Sequence, residues 1–185
     1  MLPAPQAILF DLDGTLLDTA PDMAAALNRL RAEQGLEPMP FDAIRPHVSN
    51  GARGLLGIGL AITPEATDYG RLRQRFLDLY AADLAVHTCL FPGLEALVES
   101  LESRDLPWGV VTNKPGGLTH RLLEALSLLP AVVVCGDELL RAKPHPDPLL
   151  FAAGKLRLAP KDIWYIGDHE RDIIAGNAAH MPTIA

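Results

Sequence analysis

The sequence predicts an α/β fold: a parallel sheet wrapped by helices, with an all-helical block inserted after the first strand. Three observations carry this. The short apolar run Ile8-Leu9-Phe10, bounded by polar residues, has the pattern of a strand buried on both faces. From Phe91 onward, short apolar runs alternate with helical patterns, as right-handed βαβ units require. Between these regions, from about Phe41 to His87, the spacing stays helical with no strand-like alternation.

Taken in order, the first strand runs into Asp11 and Asp13, then Gly14. Asp18 or Thr19 is placed to cap a helix with Pro21 in its first turn; Ala20, Met23, Leu27 and Leu30 recur along it, and Gly35 ends it. Gly51 to Leu60 reads as a short Gly-rich helix, and Leu72, Phe76, Leu79, Tyr80 and Asp83 lie on a longer one. This block is far longer than an ordinary connection. It is therefore read as a helical insertion over residues 18–87, within a core formed by residues 1–17 and 88–185.

Pro92-Gly93 opens a helix carrying Leu94, Leu97, Val98 and Leu101, and Trp108-Gly109-Val110-Val111 is a strand ending at Thr112-Asn113. A helix spans about Leu118 to Leu126, and Ala131 to Cys135 is the next strand. Lys143-Pro144-His145-Pro146-Asp147-Pro148 is a proline-pinned loop before a helix from Leu149 to Leu156. Ile163-Trp164-Tyr165-Ile166 is a strand ending at Gly167-Asp168. A helix from about Glu170 to Ala179 then leads to a last strand signal at Pro182 to Ala185. No closing helix follows, so a shortened carboxyl end is expected.

Bulk properties narrow the function. With 185 residues, 49% hydrophobic and 21% charged, the chain has the composition of a globular protein with one packed domain and an insertion. A net charge of −7 argues against nucleic acid or an anionic membrane as the main partner. It leaves an anionic small molecule open, because a metal and one lysine can reverse the sign locally. The two cysteines, Cys89 and Cys135, lack metal-ligand spacing and fit a reducing cytoplasm. The start Met1-Leu2-Pro3-Ala4-Pro5 lacks the marks of a signal peptide, and no apolar run reaches membrane-spanning length. A cytoplasmic monomer or homodimer is expected.

In an open parallel sheet, ligands bind beyond the carboxyl ends of the strands. Those ends deliver Asp11 and Asp13, Thr112 and Asn113, and Asp168 with Asp172 one helical turn later; Lys143 lies on the loop between the last two. Carboxylates, a hydroxyl and a lysine are the parts of phosphoryl transfer through an aspartate. Asp11 would attack phosphorus and form an aspartyl phosphate. Mg²⁺ on Asp11 and Asp168, with Asp172 binding it or orienting its waters, would neutralise the phosphate charge. Asp13 is grouped with these metal-binding carboxylates and would also serve as general acid and base. Lys143 and Thr112 would hold the phosphoryl oxygens.

Four segments, DLDGTLLD (Asp11–Asp18), VVTN (Val110–Asn113), the Lys143-Pro144 loop and GDHERD (Gly167–Asp172), resemble in order the motifs of the haloacid dehalogenase superfamily. The resemblance covers nearly the whole chain. It implies a Rossmann-like core, a helical cap and Mg²⁺-dependent phosphatase activity through the aspartate. Through Ser49-Asn50-Gly51-Ala52-Arg53 and VVTNKP, the chain is most similar to phosphoglycolate phosphatases, and also to bacterial N-acetylmuramic acid 6-phosphate phosphatases. His180 stands where relatives commonly have glycine.

Other roles remain open at this level. Asn113 either caps the strand-to-helix turn, meets substrate or orients a loop. Arg53 is either an anion reader or a surface arginine. Asp172 is either a metal residue or a first-turn residue facing the helix dipole. His169, His145, Cys89 and Cys135 carry no site assignment, and Asp18 is left to helix capping. A phosphomutase would share the nucleophile and Asp13, whereas a dehalogenase has no use for an acid at Asp13. A receiver domain needs no helical lid over its aspartate.

Overall fold

The computed structural model describes residues 4–185. Met1-Leu2-Pro3, part of the stretch read for a signal peptide, lies outside them. The chain divides into two compact units, one reaching Leu17 and resuming at Leu90, the other spanning Asp18–Cys89.

The first unit is built on a parallel sheet of Ala7–Phe10 (β1), Trp108–Val111 (β4), Val132–Val134 (β5), Ile163–Ile166 (β6) and Thr183–Ile184 (β7), in the order β5-β4-β1-β6-β7. Every residue of β1 and β4 is buried, as a sheet covered on both faces demands. In register, Leu9 lies beside Gly109 on one side and Tyr165 on the other. The helices are Leu94–Ser103 (α5), Gly116–Ala125 (α6), Asp147–Leu156 (α7) and Glu170–Ala178 (α8). One side of the sheet packs Leu9, Val111, Val134 and Tyr165 with Leu149, Ala152 and Ala153 of α7 and Ala175 of α8. Because the chain builds outward from β1 through β4 to β5 and then crosses to β6, the strand order reverses at β1. The crevice of such a sheet lies at that reversal.

Two local features set the closing turn. A Cβ on Gly176 would stand 2.0 Å from Thr183 Oγ1, so the absence of a side chain lets α8 lie close on β7. His180, in the turn between them, holds φ +57°, the left-handed region that a glycine adopts at no steric cost.

The second unit contains Ala20–Glu33 (α1), Phe41–Ile44 (α2), a 3₁₀ segment Arg45–Asn50, Gly51–Leu60 (α3) and Tyr69–Ala82 (α4). Leu27, Leu30, Ile44, Leu55, Leu72, Phe76, Leu79 and Tyr80 are buried, so the apolar stripe on α4 is core. Asp22 is buried and accepts hydrogen bonds from His87 N, Thr88 N and Thr88 Oγ1, which ties the unit's exit to its entry helix. No helix of the described residues is long and apolar enough to cross a membrane.

Two strands were not expected. Leu17–Asp18 (β2) and Cys89–Leu90 (β3), where the chain passes from one unit to the other, pair as a two-stranded sheet. Two residues are too few to show an alternation. Of the two capping candidates, Thr19 is the N-cap of α1 but makes no side-chain cap bond. Asp18 accepts from Ala20 N at 3.3 Å and is held on its other side by a two-pronged contact from Arg45.

Candidate active site

Asp11 is the first residue beyond β1 and is 2% exposed. The strand positions it there: its N–H donates to Ile166 O of β6, so the sheet hydrogen bonding continues one residue past β1. The turn that follows is closed by Leu17 N donating to Leu12 O, with Gly14 at φ +90°.

Lys143 reaches Asp11 from the loop between β5 and α7. Its Nζ lies 2.8 Å from Asp11 Oδ1, 2.7 Å from Asp172 Oδ1, 2.7 Å from Tyr165 Oη and 2.8 Å from Val111 O, with its side chain wholly buried. A buried ammonium is tolerated only with such partners. Burial raises the Asp11 carboxyl above its ordinary value; Lys143 opposes this, and the negative Asp172 adds to it. Asn113 holds the lysine loop by its backbone: its Nδ2 donates to Lys143 O at 2.8 Å, and its Oδ1 accepts from Lys143 N at 3.1 Å. Both ends of this amide thus help to orient the loop.

Asp172, in the first turn of α8, is fully buried and accepts from Tyr165 Oη at 2.9 Å and from His169 N at 3.1 Å. Gly167 makes this packing possible, since a Cβ there would stand 2.5 Å from that of Asp172. His169 is the N-cap of α8, its imidazole accepting from Arg171 N. Asp168 is exposed and fixed by Thr15, whose hydroxyl donates to Asp168 Oδ1 at 2.9 Å and accepts from Asp168 N at 3.0 Å.

Carboxylate oxygens of Asp11, Asp168 and Asp172 all lie within 4.8 Å of one another. Three hard oxygen donors with one lysine between two of them suit a hard divalent cation. Asp13, read from the sequence as a further ligand, is not in that set. Two residues beyond Asp11, within the tight turn, it pairs with Lys114 Nζ at 2.8 Å. Thr112 is buried, and its hydroxyl accepts from Lys114 N, turning the chain so that the lysine can meet Asp13. Arg53 is exposed in the first turn of α3, in the helical unit.

Three contributors escaped the sequence reading: Lys114, Tyr165 and Thr15. The tyrosine had a faint signal, a hydroxyl within the otherwise apolar run IWYI. Burial, together with the Asp11 and Asp172 charges, pushes its phenol well above its usual range. It therefore keeps its proton and donates to Asp172.

Fold and site define an α/β protein of Rossmann-like topology, with a cluster of carboxylates and two buried lysines at the carboxyl edge of its sheet. The chain belongs to the haloacid dehalogenase-like hydrolase family, whose model matches residues 8–185. It is 44% identical to the phosphoglycolate phosphatase of Xanthomonas campestris, over 98% of this chain and 82% of that protein. It is 41% identical to the N-acetylmuramic acid 6-phosphate phosphatase of Pseudomonas putida, over 97% of this chain and 82% of that protein. A crystal structure described as a predicted phosphoglycolate phosphatase from Haemophilus somnus superposes with a TM-score of 0.85 at 28% identity, covering 99% of this chain and 85% of the other.

Proposed function

We propose that the chain is a cytoplasmic, Mg²⁺-dependent phosphoric monoester hydrolase of small organic phosphates. Phosphoglycolate is the favoured substrate and N-acetylmuramic acid 6-phosphate the alternative. One observation carries the reading: a buried carboxylate, Asp11, held by a buried lysine and flanked by two more carboxylates at the end of the central strand.

Asp11 attacks phosphorus, a new O–P bond forms, and the ester O–P bond breaks. Asp13 gives its proton to the departing alkoxide and then takes one from the water that hydrolyses the aspartyl phosphate. Such acid and base help is worth about 10²–10⁴-fold. Lys114 orients Asp13 for both steps. Lys143 holds Asp11 in place and offsets negative charge near the phosphoryl oxygens, where the Thr112 hydroxyl is an additional donor. Asp11 and Asp168 would hold Mg²⁺, with Asp172 behind them; when bound, the ion shields the attacking carboxylate from the phosphate dianion. In the helical unit, Arg53 has the chemistry to read an anionic substrate.

The test is phosphate release from both substrates, offered side by side, with Mg²⁺ and with a chelator. Metal-dependent turnover of one over the other supports the chemistry and names the branch. Turnover undiminished by the chelator would overturn the metal assignment, and failure to release phosphate from either would overturn the substrate assignment.

A further inference from the structure

Away from the acidic pocket, a second group of potential metal ligands comes together in the sheet unit. Donor atoms of His120 on α6, Cys135 just beyond β5 and Glu138 three residues later all lie within 4.8 Å of one another. The sulfur is buried, whereas His120 and Glu138 are exposed. Such a set is anchored from inside and open toward solvent. We propose that His120, Cys135 and Glu138 form a binding site for a borderline-soft divalent cation of the zinc type, with one coordination position left open.

The donor set separates this site from the first. One thiolate, one imidazole and one carboxylate are zinc donors, whereas three carboxylates suit Mg²⁺. Three protein ligands plus an open position are also what zinc uses where it is not purely structural.

The surroundings hold the ligands in place. Gly116 N donates to Asp137 Oδ1 at 2.8 Å, tying the start of α6 to the loop that carries Glu138. Gly136 N donates to Lys114 O at 3.0 Å, and a Cβ on Gly136 would stand 2.2 Å from Asn113 O. The segment bearing two of the ligands is therefore seated against Asn113 and Lys114, which serve the acidic pocket.

The proton on Cys135 is the main competitor of the metal. Burial first, then the nearby Glu138 and Asp137 carboxylates, push the thiol up to about 12, with the Thr119 hydroxyl opposing. Glu138 favours the protonated thiol by accepting its hydrogen bond. A cation takes the place of that proton between sulfur and carboxylate, and the proton leaves to solvent.

The experiment is titration of the full chain with Zn²⁺ alone, and separately with Co²⁺ as a spectroscopic stand-in, in excess Mg²⁺ to fill the acidic pocket. One ion per chain should bind, with a thiolate-to-cobalt charge-transfer band. His120→Ala, at an exposed position, should keep the native circular dichroism. It should weaken binding by more than the roughly 10–100-fold that outer-shell partners cost. Glu138→Gln should also weaken binding, and Asp168→Asn should leave it unchanged. Absence of the charge-transfer band, or unchanged affinity in a folded His120→Ala protein, would overturn the site. Loss of Zn²⁺ binding in Asp168→Asn would place the ion in the acidic pocket instead. None of these readouts depends on phosphatase activity.

Discussion

Replacing Lys143 by methionine keeps the stem and removes the charge. In the native protein that charge lies 2.8 Å from Asp11 and 2.7 Å from Asp172, all three side chains being buried. Removing one partner of a buried ion pair typically costs about 3–5 kcal/mol, because the remaining charge is stranded. Here two carboxylates are stranded together, so the upper part of that range applies near neutral pH. The loss has a pH dependence of known sign. Burial already holds Asp11 above its ordinary value, and Lys143 is the largest influence lowering it. Without the lysine, Asp11 rises further. A carboxyl group whose folded value exceeds its unfolded one favours the native state at low pH, and loses that advantage as pH rises through the folded value. The variant's deficit should therefore be largest on the alkaline side of neutrality and shrink as pH falls and the stranded Asp11 carboxyl takes up its proton. Urea unfolding in the presence of a chelator, repeated across pH for both proteins, measures it. A deficit under about 1 kcal/mol that does not change with pH would refute the buried network as drawn.

The remaining expectations concern single groups. Asp11→Asn should abolish phosphate release while the circular dichroism spectrum stays native; substantial turnover would remove Asp11 as the nucleophile. Tyr165→Phe should cost about 1–3 kcal/mol in urea unfolding, because Lys143 and Asp172 lose a shared buried hydroxyl. Its kcat should fall with little change in KM, since the phenol supports the reacting groups and not the substrate. His180→Gly should stabilise the protein by about 0.5–1 kcal/mol, the relief at φ +57° outweighing the added freedom of the unfolded chain. Equal or lower stability would mean that the exposed imidazole makes a contribution of its own.

Strand ends were the most legible part of this chain. Asp11, Thr112 and Asp168 each follow a short apolar run, and a parallel sheet brings such residues to one edge whatever the details of packing. Lys143 was legible for a different reason, its place in a proline-pinned loop between strand and helix. Lys114 was not. It follows Thr112 and Asn113 directly, and nothing local distinguishes it from a solvated lysine until Asp13, 101 residues away in sequence, is set beside it. Cys135 and His120 were passed over for the same reason. Metal-ligand spacing is a local signal, and these ligands come from a strand end, a loop and the helix before them.

By itself, the sequence determined the succession of strands and helices in the main sheet unit, the helical block after its first strand, and which residues follow the strand ends. Those properties depend on periodicity and turn chemistry within a few residues. Only the tertiary structure decided the partners: Asp13 with Lys114 and not with the acidic triad, Tyr165 beneath Lys143 and Asp172, Asn113 clamping the lysine loop. Each of these depends on the strand order β5-β4-β1-β6-β7. That order sets β4 and β6 on either side of β1, so residues more than a hundred positions apart come within one hydrogen bond. Burial then made the pairings obligatory, because a charge at that depth is stable only beside its opposite.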